Sequence, residues 1–226
     1  QRPCAARPAR GRSTRSLGGT RKLTPMSKSL ALFDFDGTIT TDETMPSFLE
    51  QSISTRRRRV AQIVLAPIVV AHRYGAVSSV FLRNAVIQAC YRGSPAAHLR
   101  SVGATYARDQ IPRLLREEAL RRIAWHKDNG DTVAVVSGAL DYYLAPWCEE
   151  AGLDLICSSL EETDGVLTGR YKGEQCLRQE KARRVRDRYD IREYSEIYAY
   201  GDSREDNDLL DLASRRFFRW QEIGIA

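Results

Sequence analysis

The regular part of the chain opens with a short, nearly continuous hydrophobic run. Residues 30–33 and Phe35 are apolar, a pattern typical of a strand that is buried on both faces of a parallel sheet. Gly37 follows within two residues and allows the backbone to turn. We therefore predict a central strand that ends close to residue 35.

The next stretch, up to about residue 110, shows the apolar spacing of helices and no strand pattern. Helices are predicted over residues 45–53, 57–74, 77–91 and 95–109. Glycine and proline separate or end them, at Gly75, Gly93, Pro95 and Pro112. Because these helices lie between the first strand and the next one, near Thr132, they are predicted to form a lid over the first strand's carboxyl end.

From Pro112 onward helices and strands alternate, which is typical of βαβ units and a parallel sheet. Helices are predicted from Pro112 to Gly130, over 143–151, and from Lys181 to about Tyr189. Strands are predicted over 132–137, 154–158, 166–171, 196–200 and 216–220, with a hairpin at Asp164-Gly165. The predicted fold class is α/β, with a Rossmann-like parallel-sheet core over 26–45 and 111–226 and a helical cap over 46–110.

The composition is that of a globular protein, since 226 residues with 42% hydrophobic side chains can bury a proper core. The formal charge of +6 is concentrated in residues 1–25, which hold seven of the 35 Lys and Arg and no acid. The remainder has 28 basic against 29 acidic residues. We therefore expect no nucleic-acid binding by the domain.

Residues 1–25 are rich in Arg, Ser, Gly and Pro, with almost no large apolar side chains. Such a segment cannot bury enough surface to order itself, so we predict a disordered basic tail. It lacks the apolar run of a secretory signal. Two interpretations stay open: an organelle transit peptide, or a translation start at Met26.

The cysteines and histidines give no sign of a disulfide framework or a zinc site. The five cysteines show no CxxC spacing: Cys4, Cys90, Cys148, Cys157 and Cys176. The histidines lie scattered on predicted helices, as expected for surface or core residues: His72, His98 and His126. A reducing cytoplasmic setting fits this pattern best.

Residues 56–71 combine a basic start with an apolar continuation. Four arginines at 56–59 precede twelve residues that are apolar at every position except Gln62. Twelve residues are too few to span a bilayer. The segment is either a buried lid helix with a solvated basic start or a peripheral helix that leans on an anionic membrane surface.

The end of the first strand carries the clearest chemical signal. Asp34 and Asp36 lie two residues apart, which places both side chains on one face of an extended chain. A strand end with a polar turn would explain this pattern too. Two acids at the carboxyl end of a parallel strand nevertheless indicate a divalent metal or a transferring phosphoryl group, because close carboxylates need a cation.

Three later stretches contain residues that could complete such a site. The carboxyl end of the predicted strand 132–137 delivers Ser137-Gly138 to the start of the next helix, where a hydroxyl group and backbone N–H groups can hold a phosphate oxygen. Lys181 lies at the start of a predicted helix. The strand 196–200 ends in Gly201 and the acid-rich sequence 202–208. As in the first motif, an apolar strand leads into a glycine and several acids, which could bind a hard cation.

Together these stretches resemble, in order and spacing, the four motifs of the haloacid dehalogenase superfamily of phosphatases. The motifs are DFDGT at 34–38, VVSG at 135–138, Lys181, and GDSxxDxxLL at 201–210. The resemblance covers nearly the whole chain beyond about residue 28. The inserted helices are similar to the family's first type of cap (C1). The sequence before Lys181 resembles the subclass, IB, that includes phosphoserine phosphatase and a phosphatidylglycerophosphatase.

The resemblance implies a role for each matching residue. Asp34 would attack phosphorus, and Asp36 would protonate the leaving group and later activate water. The phosphate oxygens would be held by Thr38, Ser137, Gly138 and Lys181. Mg²⁺ would be held by Asp34, Asp202, Asp206 and the backbone carbonyl of Asp36. Glu43 aligns with an acid that contacts substrate in phosphoserine phosphatase, although relatives with other substrates also have an acid there.

The resemblance therefore implies a Mg²⁺-dependent phosphomonoester hydrolase that works through an aspartyl-phosphate. Dehalogenation is not expected, because Asp36 marks the phosphotransferases of the family. The substrate is expected to be a lipid phosphate or a small phosphometabolite such as phosphoserine. The alternative is a catalytically silent binding protein on the same fold. The oligomeric state stays open.

Overall fold

The computed structural model describes residues 28–224, and the predicted tail over 1–25 lies outside the described residues. The strands in the described part are β1 (Leu30–Phe33), β2 (Thr132–Leu140), β3 (Asp154–Ser158), β4 (Leu160–Thr163), β5 (Val166–Tyr171), β6 (Ile197–Gly201), β7 (Arg215–Phe218) and β8 (Gln221–Ile223). Six of them form one sheet in the order β3-β2-β1-β6-β7-β8, whereas β4 and β5 form a separate hairpin. All neighbours in the large sheet are parallel except β7 and β8. The predicted α/β class is confirmed.

Strand β1 lies at the centre of this sheet because its residues can be buried on both faces. All four of its side chains are fully buried. Phe33 pairs with Val135 of β2 on one side and with Tyr200 of β6 on the other. The backbone N–H of Asp34 then donates to the carbonyl of Tyr200 at 2.9 Å. The first acidic residue is thus fixed at the carboxyl end of β1, between β2 and β6.

The helices in the described part are α1 (Thr44–Ser52), α2 (Thr55–Arg73), α3 (Ser79–Tyr91), α4 (Ala96–Asp109), α5 (Ile111–Leu114), α6 (Glu117–Asp128), α7 (Asp141–Ala151), α8 (Gln179–Arg188) and α9 (Asn207–Leu210). We call α1 to α4 the helical insertion, since they correspond to the four helices predicted between the first strand and Pro112. Their bounds agree with the four helices predicted from apolar spacing to within two residues. No helix in residues 28–224 is long and apolar enough to cross a membrane.

The helical insertion shares its core with the α/β part. Phe48 of α1, Tyr106 of α4 and Tyr143 of α7 form an aromatic cluster with ring centroids 4.6–5.4 Å apart. Gly103 allows α4 to approach α7 closely, because a Cβ atom there would lie 2.1 Å from the carbonyl oxygen of Tyr142. Helices α1 and α4 are therefore anchored on the α/β part, whereas α2 packs on α3 at the periphery.

The prediction of one helix from Pro112 to Gly130 was wrong. The chain forms the single turn α5, leaves helical geometry at Leu115, and begins α6 two residues later. Leu115 pairs with Thr40, and the backbone N–H of Arg116 donates to the carbonyl of Ile39 at 2.9 Å. These long-range hydrogen bonds to the loop after β1 replace helical ones, which local sequence could not reveal.

Helix α2 has the solvated basic start of the buried-helix interpretation, since Arg56 and Arg59 are exposed, but it is not a buried helix. Of its apolar residues only Ala61 and Leu65 are buried. Ile63 keeps 75% of its surface exposed, and the valines at 60, 64, 69 and 70 keep about half. The apolar stretch thus lies on the surface of the insertion, with one narrow side packed inward.

The described cysteines and His126 lie at buried or half-buried positions. The four described cysteines are free. His126 is fully buried and bonded to Asp131 at 2.7 Å and to the hydroxyl of Tyr200 at 2.9 Å. This histidine is a satisfied core residue below the sheet centre.

Candidate active site

The two acidic strand ends lie side by side, as predicted, because β1 and β6 are neighbours in the sheet. Asp34 follows β1 and Asp202 follows β6. Gly37 permits this approach in two ways: its φ is +78°, and a Cβ atom there would lie 2.5 Å from Oδ2 of Asp202. Any larger residue at position 37 would push Asp202 away from the turn that carries Asp34 and Asp36.

Lys181 joins the two motifs through direct hydrogen bonds. It is 2% exposed, and its Nζ donates to Oδ1 of Asp34 at 2.5 Å and to Oδ1 of Asp206 at 2.7 Å. Burial acts to lower the pKa of Lys181, but the two carboxylates outweigh burial and hold its pKa above the usual value. The side chain is therefore a fixed positive charge beside Asp34.

Asp206 also organises the loop after β6. Its Oδ2 accepts from the backbone N–H groups of Asp202 and Ser203, at 3.2 and 3.0 Å, and from the hydroxyl of Ser203 at 2.9 Å. Burial acts to raise the pKa of Asp206, yet Lys181 and Ser203 hold it below the usual value. Gly201 leaves room for this arrangement, since a Cβ there would lie 2.5 Å from Cβ of Asp206.

Three of the carboxylates fit a divalent cation. Asp34, Asp202 and Asp206 each offer an oxygen, and these oxygens lie within 4.8 Å of one another. Burial raises the pKa of Asp34 to about 8, against the opposing effect of Lys181. Burial and the neighbouring Asp206 raise the pKa of Asp202. The one ammonium group of Lys181 cannot neutralise three close acids, and an all-oxygen donor set suits Mg²⁺.

Asp36 points away from these three side chains, toward the start of α1. Its Oδ1 accepts from the backbone N–H of Thr44 at 2.9 Å and from the hydroxyl of Thr44 at 2.7 Å. The hydroxyl of Tyr143 lies 3.0 Å from the same Thr44 hydroxyl. Burial raises the pKa of Asp36, while the two bonds from Thr44 oppose this. The carboxyl group is therefore held in one orientation and favours a proton more than a solvated aspartate does.

Ser137 and Gly138 lie inside strand β2, not at the start of the next helix as predicted. The strand runs on to Leu140 with an irregularity after Ser137, and α7 begins at Asp141. The Ser137 hydroxyl oxygen accepts from the backbone N–H of Ala139 at 3.1 Å, so its own proton stays free for donation. A Cβ at Gly138 would lie 2.5 Å from Leu177 and 3.3 Å from Nη1 of Arg83.

A small cavity of about 40 Å³ lies between the strand ends and the helical insertion. It has room for only a few water molecules, since each needs roughly 10–15 Å³. Its lining includes six predicted site residues besides Asp202 and Asp206, namely Asp34, Asp36, Glu43, Ser137, Gly138 and Lys181. Thr38 does not line it, and the buried Thr38 hydroxyl has no hydrogen-bond partner among the described residues.

The sequence profile of haloacid dehalogenase-like hydrolases matches residues 31–211, which cover every residue of this site. The chain belongs to that family. It is 27% identical to the protein CicA of Caulobacter vibrioides over 198 residues, which are 84% of this chain and 85% of CicA.

Two solved structures share the fold of this chain. A protein of unknown function from Bordetella pertussis Tohama I has a TM-score of 0.72 at 23% identity, covering 85% of this chain and 90% of the other. A phospho-aspartyl intermediate analogue of phosphoserine phosphatase has a TM-score of 0.62 at 23% identity, covering 85% of this chain and 86% of the other.

Sequence reasoning missed two residues at the site of this haloacid dehalogenase-like hydrolase. Arg83 of α3 lines the cavity, with Nη2 3.8 Å from Oε2 of Glu205. Thr44 holds Asp36 in place. Neither belongs to a strand-end motif. The one available signal for Arg83 was that it is the single charged residue of α3.

Proposed function

We propose that the chain is a Mg²⁺-dependent phosphomonoester hydrolase that works through an aspartyl-phosphate at Asp34, in the subclass that includes phosphoserine phosphatase. The observation that carries this proposal is the buried contact of Lys181 with both Asp34 and Asp206, beside Asp202 and next to the small cavity. A buried lysine between carboxylates is weak evidence for stability alone. At a strand end with a cluster of acids it supports catalysis of phosphoryl transfer.

In the first step an oxygen of Asp34 forms a bond to phosphorus while the bond from phosphorus to the leaving oxygen breaks. Lys181 stabilises the negative charge of the phosphoryl oxygens, and the free hydroxyl group of Ser137 donates a hydrogen bond to one of them. Asp36, held by Thr44, gives its proton to the leaving oxygen. The alcohol then departs and Asp34 carries the phosphoryl group.

In the second step water attacks the phosphorus, and Asp36 takes the proton that the water loses. The bond between phosphorus and the Asp34 oxygen breaks, which releases phosphate and restores both carboxyl groups. Bound Mg²⁺, held by Asp34, Asp202, Asp206 and the carbonyl of Asp36, would neutralise phosphoryl charge and hold the carboxylates ionised. Thr38 is assigned no step, since its side chain does not line the cavity.

The helical insertion is proposed to act as a cap that opens for the substrate. The cavity is too small for a phosphate ester with its alcohol, so substrate entry requires movement of α3 relative to the strand ends. The hydroxyl of Ser79 donates to Oε1 of Glu205 at 2.8 Å, and Gln175 donates to Asn84 Oδ1 at 3.1 Å. Opening would break these contacts, together with that of Arg83 and Glu205.

The substrate is a phosphorylated small molecule, either a free phosphometabolite such as phosphoserine or a phosphate on a lipid. Arg83 adds a positive charge at the roof of the cavity and suits a further anionic group on the substrate. The test is a phosphate-release screen over amino-acid, sugar, nucleotide and lipid phosphates with Mg²⁺. A silent binding protein would release no phosphate from any of them, nor from an aryl phosphate.

Arg83→Met should raise KM by on the order of 10-fold to 100-fold with a smaller effect on kcat, because a charge-assisted hydrogen bond to the substrate is lost. Initial rates on the best substrate of the screen measure both constants. Arg108→Met, an exposed arginine of α4, is the matched control and should leave both unchanged. A kcat loss without a KM change would place Arg83 in the chemical step instead.

Asp202→Ala should raise the Mg²⁺ concentration needed for half-maximal activity by on the order of 10-fold to 100-fold, because the cation loses a ligand. Asp208→Ala removes an acid six residues further on, outside the carboxylate cluster, and should have little effect. Titration of activity with Mg²⁺ measures both variants. Equal shifts would mean that the metal ligands are assigned wrongly.

Mg²⁺ should raise the melting temperature more at about pH 8 than at about pH 5. The folded pKa of Asp34, about 8, lies above its ordinary 3.8, so its contribution to the free energy of unfolding falls as pH rises between about 4 and 8. Mg²⁺ binds the ionised carboxylates and offsets that loss where they would otherwise repel one another. Thermal unfolding at both pH values, with and without Mg²⁺, measures the difference. An equal or larger effect at low pH would contradict it.

A further inference from the structure

The surface of the helical insertion concentrates exposed apolar side chains. Of the twelve exposed large hydrophobic residues in the described chain, eight lie between residues 60 and 81. They are Val60, Ile63, Val64, Val69, Val70, Tyr74, Val80 and Phe81. Scattered exposed hydrophobic residues are normal, whereas a contiguous group of them marks an interaction surface.

The geometry of α2 places four of these residues on one side of the helix, the last of them, Tyr74, directly after its end. Successive residues turn by about 100°, so positions three and four apart share a face. Ala61 and Leu65 face inward. The opposite side carries Val60, Ile63, Pro67, Val70 and Tyr74, which we call the outer face of α2. All five are exposed, Tyr74 to 84% of its surface.

Charge along the insertion has one sign. Residues 51–108 contain nine arginines and no acidic residue, whereas the rest of the chain beyond residue 25 has 19 basic against 29 acidic residues. Arg57 makes hydrogen bonds within the insertion: its guanidinium donates to the carbonyl of Ala89 and to the hydroxyl of Ser94, both at 3.0 Å. Arg58 lies 3.3 Å from Glu50. Arg56 and Arg59 are exposed and pair with no acid in residues 28–224, at the amino end of the outer face.

We propose that the outer face of α2 docks on an anionic lipid bilayer, with its aliphatic side chains among the acyl chains and with Arg56 and Arg59 at the headgroups. Helices that bind a bilayer surface combine an apolar face with arginine or lysine in this way. Docking would bring the active site to phosphates carried on lipids, and this benefit rests on the proposed function. Binding itself requires no catalysis.

Charge decides among the occupants of this face. Residues 1–25 carry seven basic residues and no acid, so a basic insertion repels them. A second copy would bring the same arginines against one another. A nucleic acid would meet five aliphatic or aromatic side chains and few hydrogen-bond donors on the outer face, whereas its recognition depends on contacts to phosphates and base edges. An anionic bilayer matches both the arginines and the apolar side chains.

The test is sedimentation of the full chain with vesicles made of equal parts phosphatidylglycerol and phosphatidylcholine. The protein should be retained at low salt, be released as salt rises, and not be retained by pure phosphatidylcholine. Arg56→Glu with Arg59→Glu should weaken retention by more than the roughly fivefold expected for each arginine that is removed, because each is also replaced by a repelled charge. Ile63→Asp with Val70→Asp should abolish retention. Both double variants should keep the hydrolysis of an aryl phosphate.

Two control variants test whether the site of the change matters. Arg121→Glu with Arg186→Glu makes the same charge change on α6 and α8, and Leu120→Asp removes an exposed apolar residue of α6. Both should retain full binding. The proposal is overturned if the wild-type chain stays in solution at low salt, if both outer-face variants bind like the wild type, or if Ile63→Asp with Val70→Asp converts a dimer into a monomer. If the wild-type chain does not hydrolyse an aryl phosphate at all, the proposed function is overturned. That result does not affect the proposal of vesicle binding.

Discussion

Asp34→Asn should lower the proposed phosphatase turnover by on the order of 10⁴-fold or more, because the amide has no negative charge with which to attack phosphorus. The variant should stay folded, since Lys181 keeps its 2.7 Å contact with Asp206. Circular dichroism and phosphate release measure fold and rate on the same preparation. Turnover within tenfold of the wild type, on the order of what peripheral changes cause, would remove Asp34 from the chemistry.

Asp36→Asn is the matched comparison, because it makes the same change two residues away. The rate should fall by roughly 10²–10⁴-fold, as is typical when acid–base catalysis is lost. An aryl phosphate has a good leaving group that needs little help from a proton, so the first step should survive better than the second. The variant should therefore release a burst of about one equivalent of aryl alcohol per enzyme. Equal losses in both steps would contradict the role proposed for Asp36.

Lys181→Met should have the second large effect, on both activity and stability. Removing one partner from a buried ion pair costs about 3–5 kcal/mol, because Asp34 and Asp206 are left close together without a cation. Activity should be lost as well, since no fixed positive charge stabilises the phosphoryl oxygens. Urea unfolding and phosphate release measure the two effects.

The control for this change is Lys172→Met, which alters an exposed lysine and should change neither quantity. Mg²⁺ should restore part of the stability of Lys181→Met, because it supplies the missing positive charge to the carboxylates. A Lys181→Met protein with wild-type stability in the absence of Mg²⁺ would contradict the coupling of Lys181 to the two acids.

The strand-end residues of the site could be predicted from the sequence because their positions follow from the strands before them. Asp34 and Asp202 come after apolar runs, and parallel neighbours bring such ends to one edge of the sheet. Lys181 was found only through the resemblance to a family, since a lysine at the start of a helix carries no local signal. Its burial depends on how α8 packs against β2, β3 and α9.

Residues supplied by the helical insertion could not be predicted in the same way. Arg83 reaches the cavity, and Thr44 reaches Asp36, only once α1 and α3 have packed. The exposure of α2 was equally hidden, because a stretch that is apolar at every position except Gln62 has no polar side to mark the surface. Strand β8 was missed because three exposed residues give no alternation to read.

The helix break at Leu115 shows a different limit. Residues 112–130 carry a helical apolar pattern throughout, yet Thr40 and Ile39 compete for the backbone of Leu115 and Arg116. This competition ties the loop after β1 to the segment that leads into α6. It thereby helps to fix the turn that carries Asp36 and Gly37. The helix propensity of residues 112–130 carries no information about this long-range contact.

The covalent state of Asp34 tests the proposed mechanism most directly. Asp36→Asn would be mixed with an aryl phosphate and Mg²⁺, quenched in acid within the burst, digested and analysed by mass spectrometry. The mechanism predicts one added phosphoryl group on the peptide that contains Asp34, and none in Asp34→Asn. Release of the aryl alcohol in a burst with the phosphoryl group on another residue, or on none, would contradict it.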